Sequence, residues 1–187
     1  MDVSKYRKDF PVLNKEDSTI YLDSACMTLR PQEVIDSITE YYTDYPVCGG
    51  RSVHKMGWKV TEKFEMARDS LRKFVRAEKP SDIVFTKNAT EGMNIVANGL
   101  RLKNGDHVLT SDKEHNANVV PWHHLSKYNG ISYDVLAPRD NYYFDIEALK
   151  ESLSSKTKLF SFVHTSNLDG YTNCLLYTSD AADDVIS

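Results

Sequence analysis

Phe85-Thr86-Lys87-Asn88-Ala89-Thr90-Glu91-Gly92-Met93-Asn94 runs from a strand-like segment directly into a helix-like one. Ile83-Val84-Phe85-Thr86 is β-branched and aromatic, which predicts a buried strand. Asn88 or Thr90 can act as N-cap, and Glu91 to Val96 has the apolar spacing of a helix. A helix start leaves backbone N–H groups unpaired and carries the positive end of the macrodipole, so the junction can bind a phosphate. Most strand-to-helix turns bind nothing. The stretch gains weight from two segments downstream, Glu114-His115-Asn116-Ala117-Asn118-Val119-Val120-Pro121-Trp122 and His164-Thr165-Ser166-Asn167-Leu168-Asp169-Gly170.

Outward from the junction the pattern alternates. Strands are predicted at Ile83–Thr86, His107–Ser111, Ser132–Leu136 and Leu159–His164. Helices are predicted at Glu91–Leu100, Val119–Tyr128 and Ile146–Leu153, with Gly105-Asp106 and Asn129-Gly130 as turns. Such alternation implies crossover connections and a largely parallel sheet, whose ligands collect outside the carboxyl ends of the strands. The segments after Thr86, Ser111 and His164 all leave such ends. Upstream, a helix is expected from Pro31 to Tyr42, with Val34, Ile35, Ile38, Tyr41 and Tyr42 on its apolar face. A loop over Tyr45–Gly57 follows, then a long amphipathic helix over Trp58–Val75.

Composition bounds the function. A formal net charge of −4 argues against a nucleic-acid or anionic-membrane surface. Cys26, Cys48 and Cys174 are three and widely spaced, which is no disulfide framework and points to a reducing, cytoplasmic setting. No apolar run approaches the length of a membrane span, and the N-terminus has no signal-peptide pattern. The histidines, His123-His124 included, lack paired metal-ligand spacing, so no metal is assigned.

With the three segments in order, and with Tyr21-Leu22-Asp23-Ser24-Ala25, Pro31 and Gly50-Arg51-Ser52-Val53-His54 before them, the chain resembles the class V aminotransferase family of pyridoxal-phosphate enzymes, among them the cysteine desulfurases and selenocysteine lyases. The resemblance runs from Tyr21 to Gly170. It implies an α/β fold, a three-layer, mainly parallel sheet of the aspartate-aminotransferase type (fold type I), here a truncated large cofactor-binding domain. The expected organisation is an N-terminal arm over 1–30, a partial cofactor-binding domain over 31–173 and a non-native tail over 174–187, where Leu175 to Asp183 resembles translated sequencing-adapter read-through.

The resemblance also assigns roles. Ala89 and Thr90 match the phosphate-contact pair; a plain N-cap at Thr90 is compatible with that role. His115 matches the histidine that stacks on the cofactor ring and moves protons, work suited to a flat group that titrates near neutrality. Asn167 matches the asparagine that hydrogen-bonds the ring hydroxyl; on its own it reads equally as a turn asparagine. Arg51 and His54 match substrate-pocket residues that act across a dimer interface in many members. Arginine suits a carboxylate because it binds bidentately, and a solvated loop arginine is the other reading. Cys26 and Cys48 read as ordinary thiols, because the family's sulfur-accepting cysteine lies further downstream.

The cofactor implied is pyridoxal 5'-phosphate. The pyridinium-binding aspartate and the Schiff-base lysine are expected about 25 and about 50 residues after Asn167, past Ser187, which would leave this chain inactive alone. The implied activity is removal of sulfur or selenium from cysteine or selenocysteine to give alanine, by a cytoplasmic homodimer that can pass sulfur to an acceptor protein. Other readings are transamination, epimerisation or kynureninase-like cleavage, and a non-catalytic relative.

Overall fold

Among the described residues, three α-helices carry the chain as far as Val75: α1 (Ser4–Arg7), α2 (Gln32–Asp44) and α3 (Lys55–Val75). The computed structural model describes residues 3–15, 20–137 and 146–173. The chain divides into two units, Met1–Phe85 and Thr86–Ser187.

In the first unit α2 runs as expected, and α3 begins three residues earlier than its apolar period suggests. His54 is the reason: its Nδ1 accepts the amide of Gly57 at 3.4 Å and caps the helix. The loop before it comes so close that a Cβ on Gly57 would lie 2.6 Å from the Ser52 carbonyl oxygen. Only glycine allows that approach. Lys59 and Lys63 of α3 reach Glu40 of α2 at 3.2 and 2.6 Å. Lys63 first, then Lys59, holds the Glu40 carboxyl at about 2, well below the usual carboxylate range. The apolar faces predicted for both helices are present as stripes but stay open: Ile38, Tyr42, Phe64, Leu71 and Phe74 are all exposed.

Ile83–Thr86 is not a strand. Ile83 is extended, yet no described segment pairs with the stretch. Its bonding goes to α3, where Arg68 Nη1 donates to the Ile83 carbonyl at 2.8 Å and the Phe85 ring lies 4.9 Å from Phe64. β-Branched composition makes a strand possible, but a ladder exists only where a partner edge is available.

The second unit is built on β1 (His107–Ser111), which is buried throughout. Its elements are α4 (Ala89–Gly99), β1, α5 (Val120–Asn129), β2 (Ser132–Leu136), α6 (Ile146–Ser152) and β3 (Thr157–Ser161). The sheet is parallel in the order β2-β1-β3, with Leu109 opposite both Asp134 and Phe160. The chain steps from β1 to β2 and then back across β1 to β3. Right-handed crossovers in opposite directions put their helices on opposite faces. The core shows this. Val108 packs with Ala97 of α4 and with Trp122 and Leu125 of α5, whereas Leu109, its neighbour, packs with Leu136 and with Ala148 and Leu149 of α6. The second unit is therefore three layers, helix–sheet–helix. Each fully buried large apolar side chain contributes about 1.5–3 kcal/mol, which is why the alternation of Val108 and Leu109 sets the layering.

α5 stops at Gly130, whose φ of +73° is a left-handed C-cap. β3 ends at Ser161, three residues short of the predicted end. The Val163 amide is taken by Glu114 and its carbonyl by Asn173, so the ladder has nothing left to pair there.

Candidate functional site

Asn88 is the N-cap of α4, its Oδ1 accepting from Glu91 N at 2.9 Å. The Glu91 carboxylate returns to the Lys87 amide at 2.6 Å. This reciprocal cap uses the third amide of the helix and leaves those of Ala89 and Thr90, the first two, directed out of the helix end. Thr86 Oγ1 donates to the Asn88 carbonyl at 3.0 Å and steadies the entry. The predicted strand is absent, whereas the predicted helix start is present, capped by Asn88.

Thr90, Asn94, Ala97 and Asn98 lie along one face of α4, and that face forms one wall of a cavity of about 490 Å³. The opposite wall is the turn after β1, with His115, Asn116 and Ala117, and the start of α5, with Val120, Pro121 and His124. Thr90 and His115, far apart in sequence, thus share one cavity. The described lining carries no carboxylate and no lysine. Asn94 and Asn98 fold their amides back on the helix, donating to the carbonyls of Thr90 and Asn94 at 2.9 and 2.7 Å.

His115 caps the short 3-10 turn Asn116–Asn118, its Nδ1 accepting from Ala117 N at 3.0 Å. A ring nitrogen that accepts a backbone N–H is unprotonated, so the neutral ring carries its proton on Nε2. The ring itself is exposed.

Asn167 sits on an exposed turn and does not line the cavity. That turn is closed by an antiparallel bridge between Thr165 and Thr172. Its side-chain closures come from other residues. Leu168 N donates to Ser166 Oγ at 3.2 Å and Tyr171 N donates to Asp169 Oδ1 at 3.0 Å. Asn167 therefore does not do the turn work that its residue type also allows. The Tyr171 amide, then the Ser166 hydroxyl, and Lys113 at 3.7 Å hold the Asp169 carboxyl below its ordinary range. Arg51 and His54 lie in the first unit; Arg51 is exposed in the loop before α3, and His54 is occupied as its cap.

The residue signals quoted from the sequence contain Glu114 and Asn118 only as neighbours of His115. The structure gives them a network of their own, whose partners Ser161 and Val163 lie more than 40 residues away in sequence. Spacing cannot show such a partnership.

Comparison with known proteins gives a consistent result. The family profile described as Aminotransferase class-V matches residues 20–178. A probable cysteine desulfurase of Streptomyces coelicolor is 33% identical over 184 residues, covering 92% of this chain and 44% of the relative. A cysteine desulfurase of Escherichia coli O8 is 36% identical over 179 residues, covering 92% and 44%. Among solved structures, the apo cysteine desulfurase of Thermococcus onnurineus superposes with a TM-score of 0.87 at 30% identity, covering 98% of this chain and 45% of that one. The chain spans less than half the length of the relatives it matches, and over that span the fold is theirs.

Proposed function

Since this chain belongs to the class-V aminotransferase family, we propose that the whole protein is a pyridoxal-phosphate-dependent cysteine desulfurase-like enzyme, acting on cysteine or selenocysteine. The observation that carries the reading is the shared cavity: Thr90 at a helix N-terminus and His115 stand on walls of one space of about 490 Å³. The residues suit the group. A phosphate needs concentrated N–H and O–H donors without nearby carboxylates, which the Ala89 and Thr90 amides and the Thr90 hydroxyl supply. A flat heteroaromatic ring needs a flat partner, which His115 offers. The volume lies within the ordinary range for small-ligand sites.

When bound, pyridoxal phosphate supplies an electron sink for charge that develops at the substrate's α-carbon. The work of this chain's residues is separate from that. The start of α4 would hold the phosphate at the positive end of the helix dipole. His115 would cover one face of the ring, where an imidazole can take a proton and its imidazolium return it. Asn167 is assigned to the ring hydroxyl, and Arg51 and His54 to the substrate carboxylate side, in line with the family's pattern. The anchoring lysine and the acid that faces the pyridine nitrogen are placed past Ser187, and the enzyme is read as a cytoplasmic homodimer that passes sulfur to an acceptor.

The experiment is a pair of titrations on the full-length protein. Pyridoxal 5'-phosphate is expected to bind, and pyridoxal without its phosphate to bind far more weakly. Borohydride reduction and peptide mapping are expected to label one lysine downstream of residue 187, and incubation with cysteine and an excess of a dithiol, which supplies the two electrons that reduce the released sulfur, to yield alanine and sulfide in equal amounts. Equal affinity for the two vitamers would remove the phosphate role of α4. Turnover of another amino acid without sulfide release would move the activity to another branch of the family.

A further inference from the structure

Glu114 ties together three segments at the carboxyl end of the sheet. Its Oε1 accepts from the hydroxyl of Ser111, the last residue of β1, and from Val163 N at 2.7 Å, just past β3. Its Oε2 accepts from Asn118 Nδ2 at 2.6 Å. Asn118 is buried, and its Oδ1 accepts from Trp122 Nε1 at 3.0 Å and Ser161 Oγ at 2.7 Å. An indole N–H can only donate, so the orientation of the Asn118 amide is settled, with its NH₂ toward Glu114. Backbone N–H can only donate too. Each oxygen of the Glu114 carboxylate therefore faces an obligate donor, and an amide in its place would set donor against donor.

His115 lies between these two residues in the chain. Its carbonyl accepts from Asn118 N at 2.8 Å, and its Nδ1 accepts from Ala117 N. Neither Glu114 nor Asn118 lines the cavity, whereas His115 does. We propose that Glu114, through Asn118, is a positioning residue for His115. It clamps the turn 114–118 onto the end of β3, with the Ser111 hydroxyl as an accessory donor, so that the imidazole stands in the cavity with Nδ1 bound to its own turn and the proton on Nε2. Removing the carboxylate frees the turn, and the ring loses both its fixed place and its single tautomer. The inference rests on the reading of His115 as the group that faces the cofactor; the clamp itself is a property of this chain.

The test uses Glu114→Gln in the full-length protein, with Ser111→Ala as a contrast, since the latter removes one donor and leaves the other two in place. Three measurements are compared: ¹⁵N shifts of the labelled His115 ring without added cofactor, hydrogen exchange of peptides covering Val163 and β1, and kcat with KM. In the parent His115 is expected as the Nε2-protonated tautomer. In E114Q the ring should become a tautomer mixture, the Val163 amide should exchange at least tenfold faster with β1 unchanged, and kcat should fall at least tenfold while KM stays within twofold. S111A should remain within twofold of the parent throughout.

An E114Q protein with the parent's ring shifts and exchange overturns the proposal. If E114Q loses β1 protection as well, Glu114→Asp, which keeps the charge but shortens the reach, takes its place under the same criteria. The two readings fail separately. A fully active His115→Ala would remove the catalytic role of His115 and leave the shift and exchange results standing. An inactive His115→Ala beside an E114Q that behaves like the parent would remove the clamp alone.

Discussion

At the scale of the residue, the site divides into groups that touch the cavity and groups that hold those groups in place. Thr90 and His115 are of the first kind. In the full-length protein Thr90→Val keeps the shape and removes one hydroxyl donor to a charged phosphate. Such a bond contributes about 1.5–3 kcal/mol, so the affinity for pyridoxal phosphate should fall about 10- to 150-fold with the fold intact. Titration against the parent protein checks this, and unchanged affinity would assign Thr90 to capping alone. His115→Ala should behave differently. On the proposed function its loss would remove an acid–base group, for which about 10²–10⁴ in rate is typical, while cofactor retention is expected to persist because α4, not His115, would hold the phosphate. Steady-state kinetics beside the cofactor content of the purified variant separates the two effects.

Single elements carry their own predictions. α3 needs a residue without Cβ at position 57, since any Cβ there would press on Ser52. Gly57→Ala should destabilise the protein by about 1–3 kcal/mol, and a denaturation midpoint equal to the parent's would show that the loop simply moves aside. Between α2 and α3 the Glu40 pairs give a pH signature. The folded carboxyl is held at about 2 against an ordinary 4.5. A depressed carboxylate contributes stability that is fully present above the ordinary value and is lost as pH falls through the lowered one. Glu40→Gln should therefore lower the thermal midpoint by a constant small amount above pH 5, and the two proteins should converge as pH falls from 4.5 towards about 2. The pairs are solvent-accessible, so added salt should shrink the difference.

For the molecule as a whole, burial is uneven. The buried apolar clusters lie in the second unit, around β1, while in the first unit the apolar stripes of α2 and α3 are exposed. Open stripes of this kind attract one another and dye molecules alike. The 187-residue polypeptide is expected to bind anilinonaphthalene sulfonate and to self-associate at micromolar concentration. A monomer that leaves the dye dark in sedimentation and fluorescence runs would contradict the exposed faces.

The sequence alone determined what depends on neighbours along the chain. The periods of α2 to α6 follow from side-chain spacing, the region of the α4 start from its two capping candidates Asn88 and Thr90, the turn at Gly130 from its freedom at positive φ, and the strands β1 and β2 from their short runs between turn signals. It also brought Thr90 and His115 forward as a pair, because ordered motifs survive in one dimension. Tertiary structure alone decided the rest. Ile83–Thr86 has the composition of a strand, but strand pairing needs an edge from elsewhere, and its groups went to Arg68 and Phe64. β3 stopped at Ser161 because Glu114, distant in sequence, took the amide that would have continued the ladder. Helical period is a property of one segment. Pairing and clamping are properties of two, and their energy exists only once the chain has brought both into contact.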